Sequence, residues 1–389
     1  MLRLSGSTNN FVSDFPTATN GYPSTIITSL SPSPAAVAEE EALMSSRDGN
    51  DLQQDIYKVF VGSWNVGGIS PPEDLDLRDW LDVPNNDGAG SPSLDIYVLG
   101  FQEVVPLRAG NIILGSSENH GNNTVALRWN SAIEAALNND GVEEENYDCL
   151  VSKQMVGIFI TVWVKRNVRS HIRHTAVSSV GCGLMGCFGN KGSVSVRFYV
   201  EKTSFCFVCS HLASGGKDGD ERYRNANAGE IMSRTNFPRR SAHLRNLPRK
   251  ILHHDRVVWL GDLNYRIYLP ETTTRFLVQK GEWNILLEKD QLKAELRKGR
   301  VFEGWQEGRI QFPPTYKYCP SSGLYYGIES GPAQRPKPSK GRAPAWCDRV
   351  IWFGDGLKQS QYERRENKLS DHRPIRAIFT AQVDKLSPP

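Results

Sequence analysis

The sequence predicts an α/β fold in which two packed, mostly antiparallel sheets carry helices on their outer faces. Three observations predict it. Apolar, β-rich runs recur along the chain, and many alternate apolar with polar residues, as in SVSVRFYV (193–200) and SFCFVCS (204–210). Such alternation describes strands with one buried face. Helical periodicities fall between these runs, and no internal repeat is present.

Residues 1–50 are rich in Ser, Thr, Pro, Asn and Ala, with an acidic cluster at Glu39–Glu41, and read as a disordered tail. The folded domain is expected over 51–385, with Tyr57–Trp64 as its first strand. Further strands are expected at Leu94–Phe101, Tyr147–Gln154, Gly157–Lys165, Ile172–Ser179, Gly192–Val200, Ser204–His211, Arg256–Leu260, Ala345–Phe353 and Ile375–Val383. Helices are expected near 122–138, 219–235, 239–252, 271–279 and 288–298. Residues 328–343, rich in Gly, Pro and Lys, read as a mobile basic loop.

The 389 residues are 39% hydrophobic and 23% charged, enough for a sizeable core. A net charge of +3 argues against binding nucleic acid through overall basicity, so no nucleic-acid partner is expected. Seven cysteines include a CxxC at Cys206 and Cys209, inside an apolar run with no second CxxC or His pair at zinc spacing. They read as buried free thiols in a reducing compartment. No apolar stretch reaches the ~18 residues of a membrane span. Met1–Leu4 is followed by polar residues, not by the apolar run of a secretory signal. An intracellular, cytoplasmic protein is expected.

Eight polar motifs interrupt the apolar runs: SWNVGG (63–68), GFQEVVP (100–106), GNKGSVSV (189–196), CSHLASG (209–215), WLGDLNYRI (259–267), PTYKY (314–318), PAWCDRVIW (344–352) and LSDHRPI (369–375). Asn65 and Glu103 each follow a strand and supply the oxygen chemistry that a hard cation needs. Asp262 and Asn264 point the same way on an extended segment, one to activate a water and the other to donate to the attacked phosphoryl group. His211 ends a strand and is a candidate donor to developing negative charge. His372 and Asp371 are neighbours that face opposite ways in a strand, so Asp348 is the better partner for His372. Lys191, Arg266 and Lys317 are cations at turns or strand ends, and three of them suit a substrate with several phosphates.

Together the eight motifs closely resemble the inositol polyphosphate 5-phosphatase catalytic domain of the deoxyribonuclease I-like phosphoesterases, over about 55–385. The segments VSKQMVGIF (151–159) and SFCFVCSHLASGGKDGDERYRN (204–225) look most like plant type I members. The resemblance implies a four-layer α/β/β/α sandwich and hydrolysis of the 5-phosphate of phosphoinositides or soluble inositol polyphosphates. It implies Mg²⁺ placed by Asn65 and Glu103, with Asp371 beside it, and water aligned by Asp262 with help from Asn264. His211 would stabilise the transition state, and His372 with Asp348 would hold the phosphoryl group. Tyr265, Arg266 and Lys317 would grip a neighbouring phosphate, with Lys191 a weaker candidate. An endonuclease and a non-hydrolysing phosphoinositide-binding module are the competing readings. The intact Asp262, Asn264, His211 and His372 argue against the latter.

Two segments raise the question of an anionic membrane. Residues 234–256 interleave seven basic residues with Leu244, Leu247, Ile251 and Leu252, which suits either a packed helix with a basic face or a lipid-facing surface. The loop GCGLMGCFG (181–189) is apolar enough to touch acyl chains or to pack internally. No stable protein partner is expected.

Overall fold

The computed structural model describes residues 25–27, 54–83, 94–106, 120–138, 146–183, 190–238, 246–319, 321–327 and 342–385. Its strands, in chain order, are β1 (Thr25–Ile27), β2 (Gln54–Asn65), β3 (Ile96–Gln102), β4 (Tyr147–Met155), β5 (Ile158–Lys165), β6 (Ile172–Gly181), β7 (Gly192–Val200), β8 (Thr203–His211), β9 (Arg256–Asp262), β10 (Gln306–Glu307), β11 (Asp348–Phe353), β12 (Leu357–Arg364) and β13 (Ile375–Asp384). One sheet has the order β1-β4-β5-β3-β2-β13-β12 and the other β10-β11-β9-β8-β7-β6. All pairs are antiparallel except β2 with β3 and β8 with β9, one parallel pair near the middle of each sheet.

The alternation read from the sequence sorts side chains between three apolar layers. Val194, Val196 and Phe198 of β7 and Phe205, Phe207 and Cys209 of β8 face the other sheet, where they meet Val59, Val61, Ile96 and Val98. The sheets approach closely enough that a Cβ on Gly100 would lie 2.7 Å from Cys209 Sγ, so any side chain there would force Cys209 and Leu260 to shift. Outside the first sheet, Phe60, Trp64, Leu99 and Phe101 pack against Trp129 and Ile133 of the helix His120–Leu137. Outside the second, Cys206, Val208 and Trp259 pack against Ala228 and Ile231 of the helix Glu221–Arg234. This is the expected four-layer sandwich. The CxxC thiols face opposite layers, and all six described cysteines are free.

Some details differ from expectation. The outer faces are buried as well: Ser193, Ser195 and Arg197 of β7 are covered. Arg197 reaches the Pro238 and Pro248 carbonyls and lies 5.5 Å from the Phe237 ring. The helix expected over 239–252 is not found among its described residues. Residues 246–250 form turns, and only the 3-10 turn Ile251–His253 follows, while 239–245 lie outside the described residues. Leu247 and Ile251 are buried, and Lys250 donates to the Ser233 carbonyl. Leu247 and Ile251 of the basic stretch therefore pack internally, while Leu252 is exposed. β12 was not anticipated, because LKQSQYER is too polar to read as a strand. As an edge strand it needs pairing on one side only, which β13 supplies. From the expected tail, Thr25–Ile27 adds to the edge of β4. Residues 184–189 and most of 328–343 lie outside the described residues.

Candidate active site

The two parallel pairs aim their carboxyl ends at one place. β2 ends at Asn65, which registers with Gln102 at the end of β3, and Glu103 follows. β8 ends at His211, which registers with Asp262 at the end of β9, and Asp262 registers in turn with Asp348 of β11. Gly261 permits the close approach: its φ is +142°, and a Cβ there would lie 2.0 Å from the Ser210 carbonyl oxygen.

Asp262 is the hub. Its Oδ2 accepts from Asn65 Nδ2 at 3.0 Å and lies 3.2 Å from His211 Nε2 and 3.9 Å from His372 Nε2. Its Oδ1 accepts the Asn264 backbone N–H at 3.1 Å. Burial alone would raise this carboxyl, but the His211 hydrogen bond and the charges of His372, His211 and Lys191 hold it well below the usual range. Asn65 Nδ2 also reaches Glu103 Oε1 at 3.3 Å, and Asn65 Oδ1 accepts from Gly67 N. Asn65 thus bridges two carboxylates.

His372 is held on several sides. Its Nδ1 lies 2.9 Å from Asp348 Oδ2, and the Thr315 hydroxyl donates to that same oxygen at 2.6 Å. Its backbone N–H donates to Ser370 Oγ, whose hydroxyl donates to the Asn65 carbonyl at 2.6 Å. The Tyr316 ring packs 4.4 Å away. Burial opposes the charged imidazole, but Asp348 and Asp262 outweigh it and push His372 up to about 9. His211 goes the other way, lowered by burial and by Lys191 against the pull of Asp262.

Lys191 joins the centre with its Nζ against His211 Nε2, and burial lowers it to about 8. Lys317 pairs with Asp371 at 2.7 Å on the site's more open side. Arg266 Nη2 donates to Asn264 Oδ1 at 2.6 Å, while its Nε and Nη1 have no partner and its guanidinium lies 4.6 Å from the Tyr316 ring. Tyr265 does not join the cluster. It is fully buried, and its hydroxyl donates to Asn225 Oδ1 at 2.6 Å.

Asp262, Asp348 and His372 each place a ligand atom within 4.8 Å of the others, a grouping that could hold a metal ion. The His372 Nδ1, however, is already bonded to Asp348, and the carboxylates beside it favour the cationic imidazole, which is a poor ligand. Glu103 is the better fit, with a part-exposed carboxylate at the mouth and an oxygen chemistry that suits a hard cation. A separate hollow lined by Asn284, Leu287, Lys293, Arg297 and Arg309 shares no residue with this cluster.

The family model described as Endonuclease/Exonuclease/phosphatase family 2 matches residues 62–378. The type IV inositol polyphosphate 5-phosphatase 9 of Arabidopsis thaliana is 51% identical, over 98% of this chain and 89% of its own. The chain belongs to the inositol polyphosphate 5-phosphatase family. The type I inositol polyphosphate 5-phosphatase 8 of the same plant is 46% identical, over 84% of this chain and 71% of its own, so relatives of both types are similar to it. Among solved structures, the inositol polyphosphate 5-phosphatase domain of SPsynaptojanin, in complex with inositol (1,4)-bisphosphate and calcium ion, superposes with a TM-score of 0.71. It is 33% identical and covers 86% of this chain and 87% of its own. A Cimex nitrophorin at 20% identity and TM-score 0.57, covering 84% of this chain and 99% of its own, shares the fold alone.

The sequence reading of this 5-phosphatase passed over Thr315, Ser370 and Asn225. Thr315 and Ser370 sit inside quoted motifs, but small hydroxyls carry no charge to draw attention. Asn225 lies on a helix, and nothing in its spacing relates it to Tyr265.

Proposed function

We propose that this enzyme removes the 5-position phosphate from inositol polyphosphates, either soluble, such as inositol 1,4,5-trisphosphate, or lipid-borne, such as phosphatidylinositol 4,5-bisphosphate. The observation that carries the reading is the Asp262 carboxylate, kept ionised among Asn65, His211, His372 and Lys191 beside a second carboxylate, Glu103. A centre with buried carboxylates set among several donors suits a water nucleophile and an anionic ester.

Asp262 accepts a hydrogen bond from the attacking water and aligns it. The water oxygen forms the new P–O bond and gives up a proton, the bond from phosphorus to the C5 oxygen breaks, and the leaving oxygen takes up a proton in turn, so that none is gained or lost overall. His372, cationic and fixed by Asp348, donates to the phosphoryl oxygens. His211, Lys191 and the Asn264 amide N–H that is left over from the bond to the Leu212 carbonyl face the charge that develops there. Glu103, steadied by Asn65, would hold Mg²⁺ with Asp371 beside it, and the ion supplies Lewis-acid neutralisation of phosphate charge when bound. Arg266 and Lys317 suit a second phosphate next to the one removed, Arg266 because two of its nitrogens are buried without partners.

An intracellular setting suits the free thiols. No described helix is long and apolar enough to cross a membrane.

The test is phosphate release from inositol 1,4,5-trisphosphate and from phosphatidylinositol 4,5-bisphosphate in liposomes, with Mg²⁺ or EDTA. Release that needs Mg²⁺ and vanishes in Asp262→Ala supports the reading, and the substrate ratio assigns soluble or lipid preference. A folded protein that releases phosphate from neither sinks it.

A further inference from the structure

Tyr265 and Arg266 are adjacent in sequence but are put to different uses. Asn264 has a φ of +58°, a left-handed conformation that asparagine tolerates better than most residues. The chain turns there, so that Asn264 and Arg266 reach the site while Tyr265 is driven into the layer beneath it. Such a conformation persists only where the surroundings over-determine it.

The surroundings are the polar face of the helix Glu221–Arg234. Asn225 Oδ1 accepts the Tyr265 hydroxyl at 2.6 Å, while Asn225 Nδ2 is anchored on buried Glu295 at 2.8 Å. The Arg224 guanidinium covers the Tyr265 ring at 5.4 Å and donates to Gln291 Oε1 at 2.7 Å, and that same oxygen accepts the Arg266 backbone N–H at 2.8 Å. Two residues on, Asn227 Oδ1 accepts the Ala213 N–H just past His211. One helix thus fixes both the segment after Asp262 and the segment after His211.

We infer that Asn225 is a positioning residue for the reaction, acting through the Tyr265 hydroxyl to set Asn264 and Arg266, and that Tyr265 does not itself touch the substrate. The inference rests on the 5-phosphatase reading for its activity readout. It departs from the resemblance, which joins Tyr265 to Arg266 as a phosphate ligand.

A double-mutant cycle tests it. Asn225→Ala, Tyr265→Phe and the double variant are assayed for kcat/KM per folded molecule on inositol 1,4,5-trisphosphate, alongside thermal melting. Positioning through one shared hydrogen bond predicts that each single variant loses about tenfold and that the double loses about the same tenfold, because both changes break one interaction. Losses that multiply to about a hundredfold, or a loss in Tyr265→Phe alone, overturn the inference in favour of independent action. Lower melting with wild-type kcat/KM also overturns it, as a purely structural brace. Should Asn225→Ala not fold, Tyr265→Phe is compared on substrates with and without a phosphate next to the cleaved one. Loss on both, larger on the former where Arg266 also counts, supports positioning through Asn264 and Arg266, and loss only on the former overturns it. If the wild type releases no phosphate, the 5-phosphatase reading itself fails. The cycle is then read from inorganic phosphate binding by calorimetry, where coupled losses sustain the inference and additive losses overturn it.

Discussion

Asp348 and His372 form a buried pair, Oδ2 to Nδ1 at 2.9 Å, and the Asp348 Oδ1 on the far side has no partner. The pair is therefore bound tightly through one oxygen, and its charge depends on burial and on the nearby Asp262 as well as on the bond itself.

That arrangement sets a pH limit. His372 is raised from 6.5 to about 9, so its stabilising contribution is fully present below about 6.5 and is lost as pH rises through about 9. The pH profile of kcat should fall on an alkaline limb near that value, and melting temperature should decline over the same window. Asp348→Asn should move the limb to lower pH and destabilise the fold by about 3–5 kcal/mol, as expected for a broken buried pair. An unmoved limb would show that His372 is not the titrating donor.

Asp262→Asn keeps the shape and removes the charge. A drop in kcat of about 10²–10⁴-fold, with the protein still folded by circular dichroism, is the expected result for a group that aligns the nucleophile. A change confined to KM would assign Asp262 to binding.

Glu103 offers the cation-binding carboxylate, so Glu103→Gln should weaken Mg²⁺ binding in titration calorimetry without substrate. Glu103 is part-exposed, and the melting temperature should change little in the absence of metal. Unchanged Mg²⁺ affinity would move the cation to another ligand set.

Arg349 lies in the same motif as Asp348 but serves the fold. It is fully buried, with Nη1 on Asp290 at 2.9 Å and Nε on Glu307 at 2.6 Å. Arg349→Ala leaves two buried carboxylates unpaired and should cost about 3–5 kcal/mol. Chemical denaturation measures this, and a loss below about 1 kcal/mol would mean that water replaces the guanidinium.

Much of the architecture was legible because its signals are local. The alternation in β7 and β8 separates inner from outer side chains, and Asn65, Glu103, His211 and Asp262 each close or follow an apolar strand. β12 was not legible, since an edge strand need not be apolar. Nor was the packed state of 246–253, where interleaved basic and apolar residues suit a helix and a folded turn equally. In the site, the ligand types could be listed from the motifs, but not that the Tyr265 hydroxyl meets Asn225. Arg266, next to Tyr265, reaches the cluster, and only the left-handed turn at Asn264 sends the two apart.

The sequence by itself determined the two-sheet class, the inventory of carboxylates, imidazoles and cations, and the strand ends that carry them, because periodicity and residue chemistry act over a few neighbours. The tertiary structure alone decided that Asp262 lies among Asn65, His211 and His372, that Lys191 enters the centre and that Asn225 accepts the Tyr265 hydroxyl. These contacts join residues up to 197 positions apart. Their distances and pKa values follow from sheet register, close sheet packing and exclusion of water, which exist only once the chain has folded.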